Sequence, residues 1–273
     1  MPSSRSTSGP PEHVRSAFGV RDEAAEALLY GPAWRCGDVV LRPVDSAAQA
    51  AWVAKTLDTL WVDNLRIARP LRSSDGRWVV GGWSATRYLS GEAEPRHDDI
   101  VGVAVRLHTA TAVLAKPRFL DGREDLLAVA DAVAWGERAL VTPAGAPAGG
   151  GVVAEIADLA VARGPVELRP QVVHGELFGT VLFAGAAPPA IIDFVPYWRP
   201  AEWAAAVVVV DALAWGGADP DLLRRWSGLA AWPQVLLRAL LFRLAAHAMH
   251  PQSTPESAAG LSRAVALVRD FAA

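Results

Sequence analysis

Residues 172–183 read VVHGELFGTVLF and, eight residues further on, residues 191–198 read IIDFVPYW. Two apolar runs rich in β-branched residues enclose the turn His174-Gly175-Glu176, and a third run closes on Asp193. Short paired strands of this kind deliver one carboxylate from the first turn and a second from the end of the next strand into one pocket. Carboxylates so placed can divide the work: one orients or deprotonates a hydroxyl, and the other holds a divalent cation.

The rest of the chain limits what such a pocket belongs to. Its 273 residues suffice for one large domain or two modest ones, and 52% hydrophobic with 20% charged residues is a globular composition. A formal net charge of -3, with no basic tract, argues against a general nucleic-acid or anionic-membrane binder. Cys36 is the only cysteine, which rules out an internal disulfide and a cysteine-rich zinc site. The stretch MPSSRSTSGPPEHVR lacks the apolar core of a signal peptide, and residues 1–14 are expected to form a disordered tail. The longest apolar run, AAAVVVV at 204–210, stops at Asp211 and is too short to span a bilayer, so a soluble, cytoplasmic protein is expected. Only Lys55 and Lys116 among the 26 basic residues are lysine, and neither lies in the Gly-Lys-Ser/Thr context of a Walker phosphate loop.

Along the chain, residues 16–30 suggest a helix stopped by Gly31-Pro32, and residues 34–44 suggest two strands around a turn at Gly37-Asp38. An Asp-Ser cap followed by strong helix formers predicts a helix over 46–59. Residues 65–68 and 77–83 are strand-like around a Ser73–Gly76 turn. Helical patterns follow over 97–114, 124–139 and 151–163, with a Pro/Gly-rich surface loop at 142–151, and resume over 201–215, 219–230, 233–248 and 254–271. The predicted architecture is α+β with two lobes: a β-rich lobe over 15–88, then a mainly helical lobe over 89–273 with a hairpin embedded at 170–195.

This order, with HGELFGTVLF and IIDF as its most specific parts, resembles the aminoglycoside phosphotransferase and choline kinase group, which has a protein-kinase-like fold. More closely, the chain looks like an actinobacterial subfamily of that group with no assigned substrate. The resemblance runs over roughly residues 15–270. It implies ATP and magnesium as cofactors and a small-molecule hydroxyl as phosphate acceptor. It also implies a site for each residue: Glu176 at the catalytic-base position, His174 supporting the loop, and Asp193 and Thr180 at the metal positions. Arg42 takes the place of the early-strand lysine that contacts phosphates, Gly31 and Gly37 that of a phosphate-covering loop, and Tyr88-Leu89 that of the interlobe segment that binds adenine through its backbone.

Three of these positions depart from the group's pattern of His-Gly-Asp-Leu, an Asn before the apolar strand, and Lys on the early strand. Glu176 is one methylene longer than Asp, which moves its carboxylate by about 1.5 Å, and misplacement of that order costs about a hundredfold in rate. Thr180 offers a shorter oxygen donor than an amide, or simply starts the next strand. Arg42 keeps the charge but not the geometry of an ammonium, and the helix over 46–59 has Gln49 and Lys55 but no Glu to pair with it. Asp193 either binds metal or caps a turn before Pro196. Two readings follow: an ATP- and magnesium-dependent phosphotransferase, or a pseudokinase-like protein that binds nucleotide or a protein partner. Weaker candidates are His247 with His250, which lack further ligands at zinc spacing, and Trp198, Trp203 and Trp215, which either line a substrate pocket or cover the helical core. No Gly-x-Ser-x-Gly context supports a serine hydrolase.

Overall fold

The computed structural model of the chain describes residues 9–29, 31–142 and 150–272. The chain forms two compact units, and their elements are numbered here in chain order through both. The first unit runs to Glu94 and takes in Gly179–Phe194. It holds α1 (Glu12–Ala17), β1 (Ala25–Ala27), β2 (Trp34–Cys36), β3 (Val39–Pro43), α2 (Ala47–Thr59), β4 (Arg66–Ile67), β5 (Pro70–Leu71), β6 (Val79–Val80) and β7 (Trp83–Arg87), together with β9 (Val181–Ala184) and β10 (Ala187–Ile191).

Antiparallel pairing gives a sheet in the order β1-β2-β3-β7-β5, with β6 also on β7. Val14, Phe18, Cys36, Val39, Leu41 and Ala85 form the core against it. The turn at Gly37-Asp38 and the helix after Ser46 form as the sequence predicts, and the Ser46 hydroxyl accepts the Gln49 N–H at 3.2 Å. The start of the chain differs from expectation. α1 begins at Glu12 after Pro10-Pro11, buries Val14 and stops before Gly19 (φ +75°), so its residues 12–14 are part of the folded unit. The helix formers that follow lie in β1, because pairing of Ala25 with Cys36 overrides a modest alanine preference.

The second unit comprises Pro95–Phe178 and Val195–Ala273. Its elements are α3 (His97–Thr111), α4 (Leu126–Trp135), α5 (Gly150–Val161), β8 (Gln171–His174), β11 (Pro196–Arg199), α6 (Ala201–Trp215), α7 (Leu222–Arg225), α8 (Trp232–Met249) and α9 (Pro255–Ala272). α6 is buried without interruption from Trp203 to Ala214, the sign of a helix that is apolar all round and forms the centre of a core. It packs on α3, α8 and α9, and α8 packs in turn on α4, α5 and α9. The helix expected over 219–230 shrinks to α7, and most of the loop expected at 142–151 lies outside the described residues.

The embedded hairpin also needs correction. β8 pairs with β11, His174 opposite Pro196, and not with β9. The tight hairpin is β9–β10, joined by the two residues Gly185-Ala186 with Gly185 at φ +54°, and β10 runs parallel to β4 inside the first unit. Six residues separate β8 from β9, too many for a close turn, and they form a loop instead. The residues over 170–195 are thus shared between the units, and the chain passes from first to second unit at Glu94–Pro95 rather than at 88. Among the described residues no helix is long and apolar enough to cross a membrane.

Candidate functional site

In the first unit, a cavity of about 240 Å³ has apolar side chains in its lining that include Val40 of β3, Ala68, Leu182 of β9 and Ile192, which follows β10. Leu89 joins Leu182, Ala190 and Ile192 in a small apolar cluster. Arg42, Tyr88 and Leu89 all line this cavity, so three of the residues singled out from the sequence meet there. Arg42 enters from β3, where it lies opposite Ser84.

The segment 87–92 is held along its length. The Tyr88 N–H donates to the Asp38 carbonyl at 2.8 Å, Arg87 pairs with the Asp38 carboxylate, and the Arg35 guanidinium lies 4.0 Å over the Tyr88 ring. The Arg66 guanidinium donates to the carbonyls of Ser90, at 3.2 Å, and Pro188, at 2.8 Å. Glu92 and Phe183 exchange backbone hydrogen bonds at 2.9 and 2.8 Å. Between these ties, the Leu89 N–H makes no hydrogen bond to the described residues. The two glycines separate: Gly31 (φ +73°) sits in the β1–β2 turn whose Leu28 and Leu29 line the cavity, whereas Gly37 sits at the opposite end of β2. Of the two glycines, Gly31 lies in the turn that borders the cavity.

Asp193 follows β10, half-buried, and its Oδ1 accepts the Phe194 N–H at 2.8 Å. That bond is to the N–H of the residue that follows Asp193 in the chain. The Ile192 N–H donates to the Thr180 carbonyl at 3.2 Å, which sets Thr180 beside the start of Asp193 at the base of the hairpin. A carboxylate and a hydroxyl are hard oxygen donors that fit magnesium. Among the described residues, no three His, Cys, Asp or Glu side chains cluster as a metal site, so such an ion would take its remaining ligands from phosphate and water. That finding covers His247 and His250 too; His247 Nδ1 lies 3.1 Å from the Ser257 hydroxyl.

In the second unit, α3 anchors β8 and with it the His-Gly-Glu loop. The Thr111 hydroxyl donates to the Val172 carbonyl at 2.7 Å, and the His174 N–H donates to His108 Nε2 at 3.0 Å. Burial, with His174 beside it, lowers the His108 imidazole to about 3, so it is neutral and accepts that bond. His174 is fully buried, and its Nδ1 accepts the N–H groups of Glu176 at 3.2 Å and Val195 at 3.3 Å, clasping both arms of the loop. Gly175 lies against the Tyr197 ring: a Cβ there would sit 2.4 Å from Cε2.

The Glu176 carboxylate is engaged by a residue that the motif does not reveal. Arg243 Nη1 donates to both of its oxygens, at 2.9 and 3.1 Å, while Arg243 Nε and Nη2 donate to Asp211 at 2.6 and 2.5 Å. The side chains of Arg243 and Asp211 are 8% and 2% exposed and that of Glu176 is 23% exposed, so only the glutamate end reaches solvent. Burial pushes the Asp211 carboxyl up to about 6, with Arg243 pulling it back. Burial alone would lower the Arg243 guanidinium, but the two carboxylates outweigh it and hold it charged. Both carboxylate oxygens of Glu176 are thus turned to the guanidinium, which leaves fewer of their lone pairs for a reacting hydroxyl. Sequence reading missed this pair, although a lone Asp211 in the apolar α6 and arginines within LLRALLFRLAAH of α8 were the available signal. Trp203 is a core residue, ringed by Tyr197 and Phe242 at 5.5 and 5.4 Å.

No protein-family model matches the sequence, and no curated protein sequence matches it. Solved structures do match across nearly the whole chain. A choline/ethanolamine kinase family protein from Mesorhizobium loti is 19% identical, with a TM-score of 0.59 and 96% of each chain covered. Choline kinase LicA from Streptococcus pneumoniae is 10% identical, with a TM-score of 0.61 over 95% of this chain and 98% of that one. A spectinomycin phosphotransferase, solved with ADP and spectinomycin, is 10% identical, with a TM-score of 0.61 over 94% and 96%. The chain thus has the protein-kinase-like α+β fold shared by choline kinases and aminoglycoside phosphotransferases.

Proposed function

We propose that the protein binds an adenine nucleotide in the cavity of the first unit, and that phosphoryl transfer through Glu176 is curtailed. The observation that carries the binding reading is the Leu89 N–H, left without a partner in a segment tied down on both sides and set among apolar walls. An apolar slot with a fixed backbone donor suits a flat heteroaromatic base. Arg42 supplies a cation for the phosphates. The spectinomycin phosphotransferase of the same fold holds ADP, which supports this choice of ligand.

The Arg243 grip on Glu176 supports the second half. General-base assistance contributes typically about 10²- to 10⁴-fold, and a longer, guanidinium-bound glutamate forfeits much of it. Magnesium, when bound, would neutralise phosphate charge, and Asp193 and Thr180 are the residues that would hold it. A second reading, an ATP-dependent phosphotransferase acting on a small-molecule hydroxyl, is favoured by Asp193 at the end of β10 with Thr180 beside it. Positioning and electrostatics do most of the work in phosphoryl transfer, so an impaired base lowers turnover without abolishing it.

Calorimetric titration with ATP, with and without magnesium, on the wild type, Arg42→Ala and Asp193→Ala tests the binding reading. We expect binding to the wild type, weakened at least several-fold by Arg42→Ala; no binding to any of the three would sink it. ADP release over a panel of hydroxyl acceptors separates the two readings, with sustained turnover favouring the phosphotransferase.

A further inference from the structure

Arg243 serves two carboxylates, and it serves them unequally. Asp211, from the buried α6, takes Nε and Nη2 with its two oxygens, at 2.6 and 2.5 Å. Glu176, in the loop after β8, takes Nη1 alone, and its side chain is the more exposed of the two. With both carboxylates ionised the trio carries one negative charge in excess. Stripping a buried guanidinium of its last counter-charge is costly, whereas removing the second of two is not. While Asp211 is ionised, Glu176 can therefore turn away and leave a complete two-oxygen pair behind. Once Asp211 is protonated, Glu176 is the one negative charge left on Arg243 among the described residues, and it has to stay.

We propose that Asp211 is a positioning residue that gates Glu176 through Arg243: ionised, it keeps the guanidinium for itself and frees the Glu176 carboxylate to meet a ligand hydroxyl, and protonated, it locks Glu176 in place. The inference rests on the reading of Glu176 above and makes its curtailment depend on pH. Burial raises the Asp211 carboxyl to about 6, Arg243 draws it back and the Glu176 charge adds to the rise, so the gate closes as pH falls through about 6. The elements packed against α6 bring few other ionisable groups. The buried residues of α9 are apolar side chains and a glycine. From α3 comes His108, kept neutral above about pH 3 by burial, and from β8 comes His174. Besides Arg243, α8 buries Arg238 and His247, whose imidazole burial also lowers. Burial raises the Tyr197 phenol of β11 well above its ordinary range, so it stays neutral beside Glu176 and Arg243.

The experiment is NMR of the full chain with 13C-labelled glutamate and aspartate side chains, without nucleotide, from pH 5 to 8. Glu176 and Asp211 are assigned by the signals lost in Glu176→Gln and Asp211→Asn. We expect the side-chain order of Glu176, read from 13C relaxation, to fall as pH rises, with a midpoint near 6 that coincides with the titration of Asp211 Cγ. Asp211→Asn, neutral like the protonated acid, keeps Glu176 rigid across the range. Glu176→Gln removes a neighbouring negative charge and moves the Asp211 midpoint to lower pH, a readout that stands even where Asp211→Asn fails to fold. Three results would each overturn the gate: a Glu176 order that does not change with pH in the wild type, a change that survives Asp211→Asn as the titration of a histidine would, or an Asp211 midpoint unmoved by Glu176→Gln. The titration needs no nucleotide, so the gate can fail while the nucleotide binding tested by calorimetry stands, and the reverse.

Discussion

Arg243 splits its donors between two carboxylates of unequal depth, and the split predicts which substitutions are costly. Removing the guanidinium, as in Arg243→Leu, leaves Asp211 and Glu176 facing each other without a counter-charge and is expected to cost about 3–5 kcal/mol. Glu176→Gln keeps an acceptor for Nη1 and removes the more exposed charge, so its cost is expected to stay within about 1 kcal/mol. Urea unfolding of both variants measures the difference, and equal costs would show that the three groups do not act as a triad. Gly175 makes a second residue-scale prediction. An alanine Cβ would meet the Tyr197 ring at 2.4 Å, and Tyr197 is itself held among Trp203 and Phe242. Overpacking there costs about 1–3 kcal/mol, so Gly175→Ala should lower the urea midpoint. The two residues differ in how far the sequence exposes them. Gly175 stands inside a motif, and only the reason for it was hidden. Arg243 lies 67 residues from Glu176, and nothing local to either residue announces the partner.

The elements show the same boundary between what patterns reveal and what pairing decides. Apolar β-branched runs located β8 and β9 within a residue or two, because those side chains are mostly buried, whereas β10 (Ala187–Ile191) lies ahead of the third apolar run and meets it only at Ile191. Which strand pairs with which is a non-local choice, and the runs look alike: β8 takes β11 in one unit, while β9 takes β10 in the other. The Gly185-Ala186 turn was the local clue, since a two-residue turn starting at positive φ fixes a hairpin more firmly than a six-residue loop does. β1 was missed because its Ala and Glu residues favour helix, and only its register with β2 makes it a strand. At this scale the bridge between Glu92 and Phe183 is the contact most open to test. Gly91→Ala places a Cβ 2.7 Å from backbone at a φ that side chains rarely adopt, with an expected cost of about 1–3 kcal/mol. Because the same bridge fixes the segment carrying the Leu89 N–H, ATP affinity should fall with it. A stable Gly91→Ala protein with unchanged ATP affinity would separate the bridge from the cavity.

For the whole molecule, motif order sufficed to read a β-rich region followed by a helical one, since hydrophobic period and turn residues are local properties. The unit boundary was not legible, because contacts rather than composition decide that Gly179–Phe194 belongs with the first unit. Nor was the protonation state of the core. His108 sits fully buried with its imidazole lowered from 6.5 to about 3, and this sets a sign for stability against pH. As pH falls below 6.5 the unfolded chain binds a proton at this residue and the folded chain does not. The stabilising contribution is complete above pH 6.5 and is lost as pH falls from there towards 3, at up to about 1.4 kcal/mol per pH unit. Asp211 acts in the opposite sense, since a carboxyl raised to about 6 in the fold favours folding as pH drops from 6 towards 3.8. Comparing the wild type with His108→Gln cancels that contribution, and glutamine retains an acceptor for the His174 N–H. Urea midpoints measured from pH 7 to 4.5 should fall more steeply for the wild type than for the variant. Parallel slopes would mean that His108 is protonated in the fold and does not accept the bond that anchors the His-Gly-Glu loop.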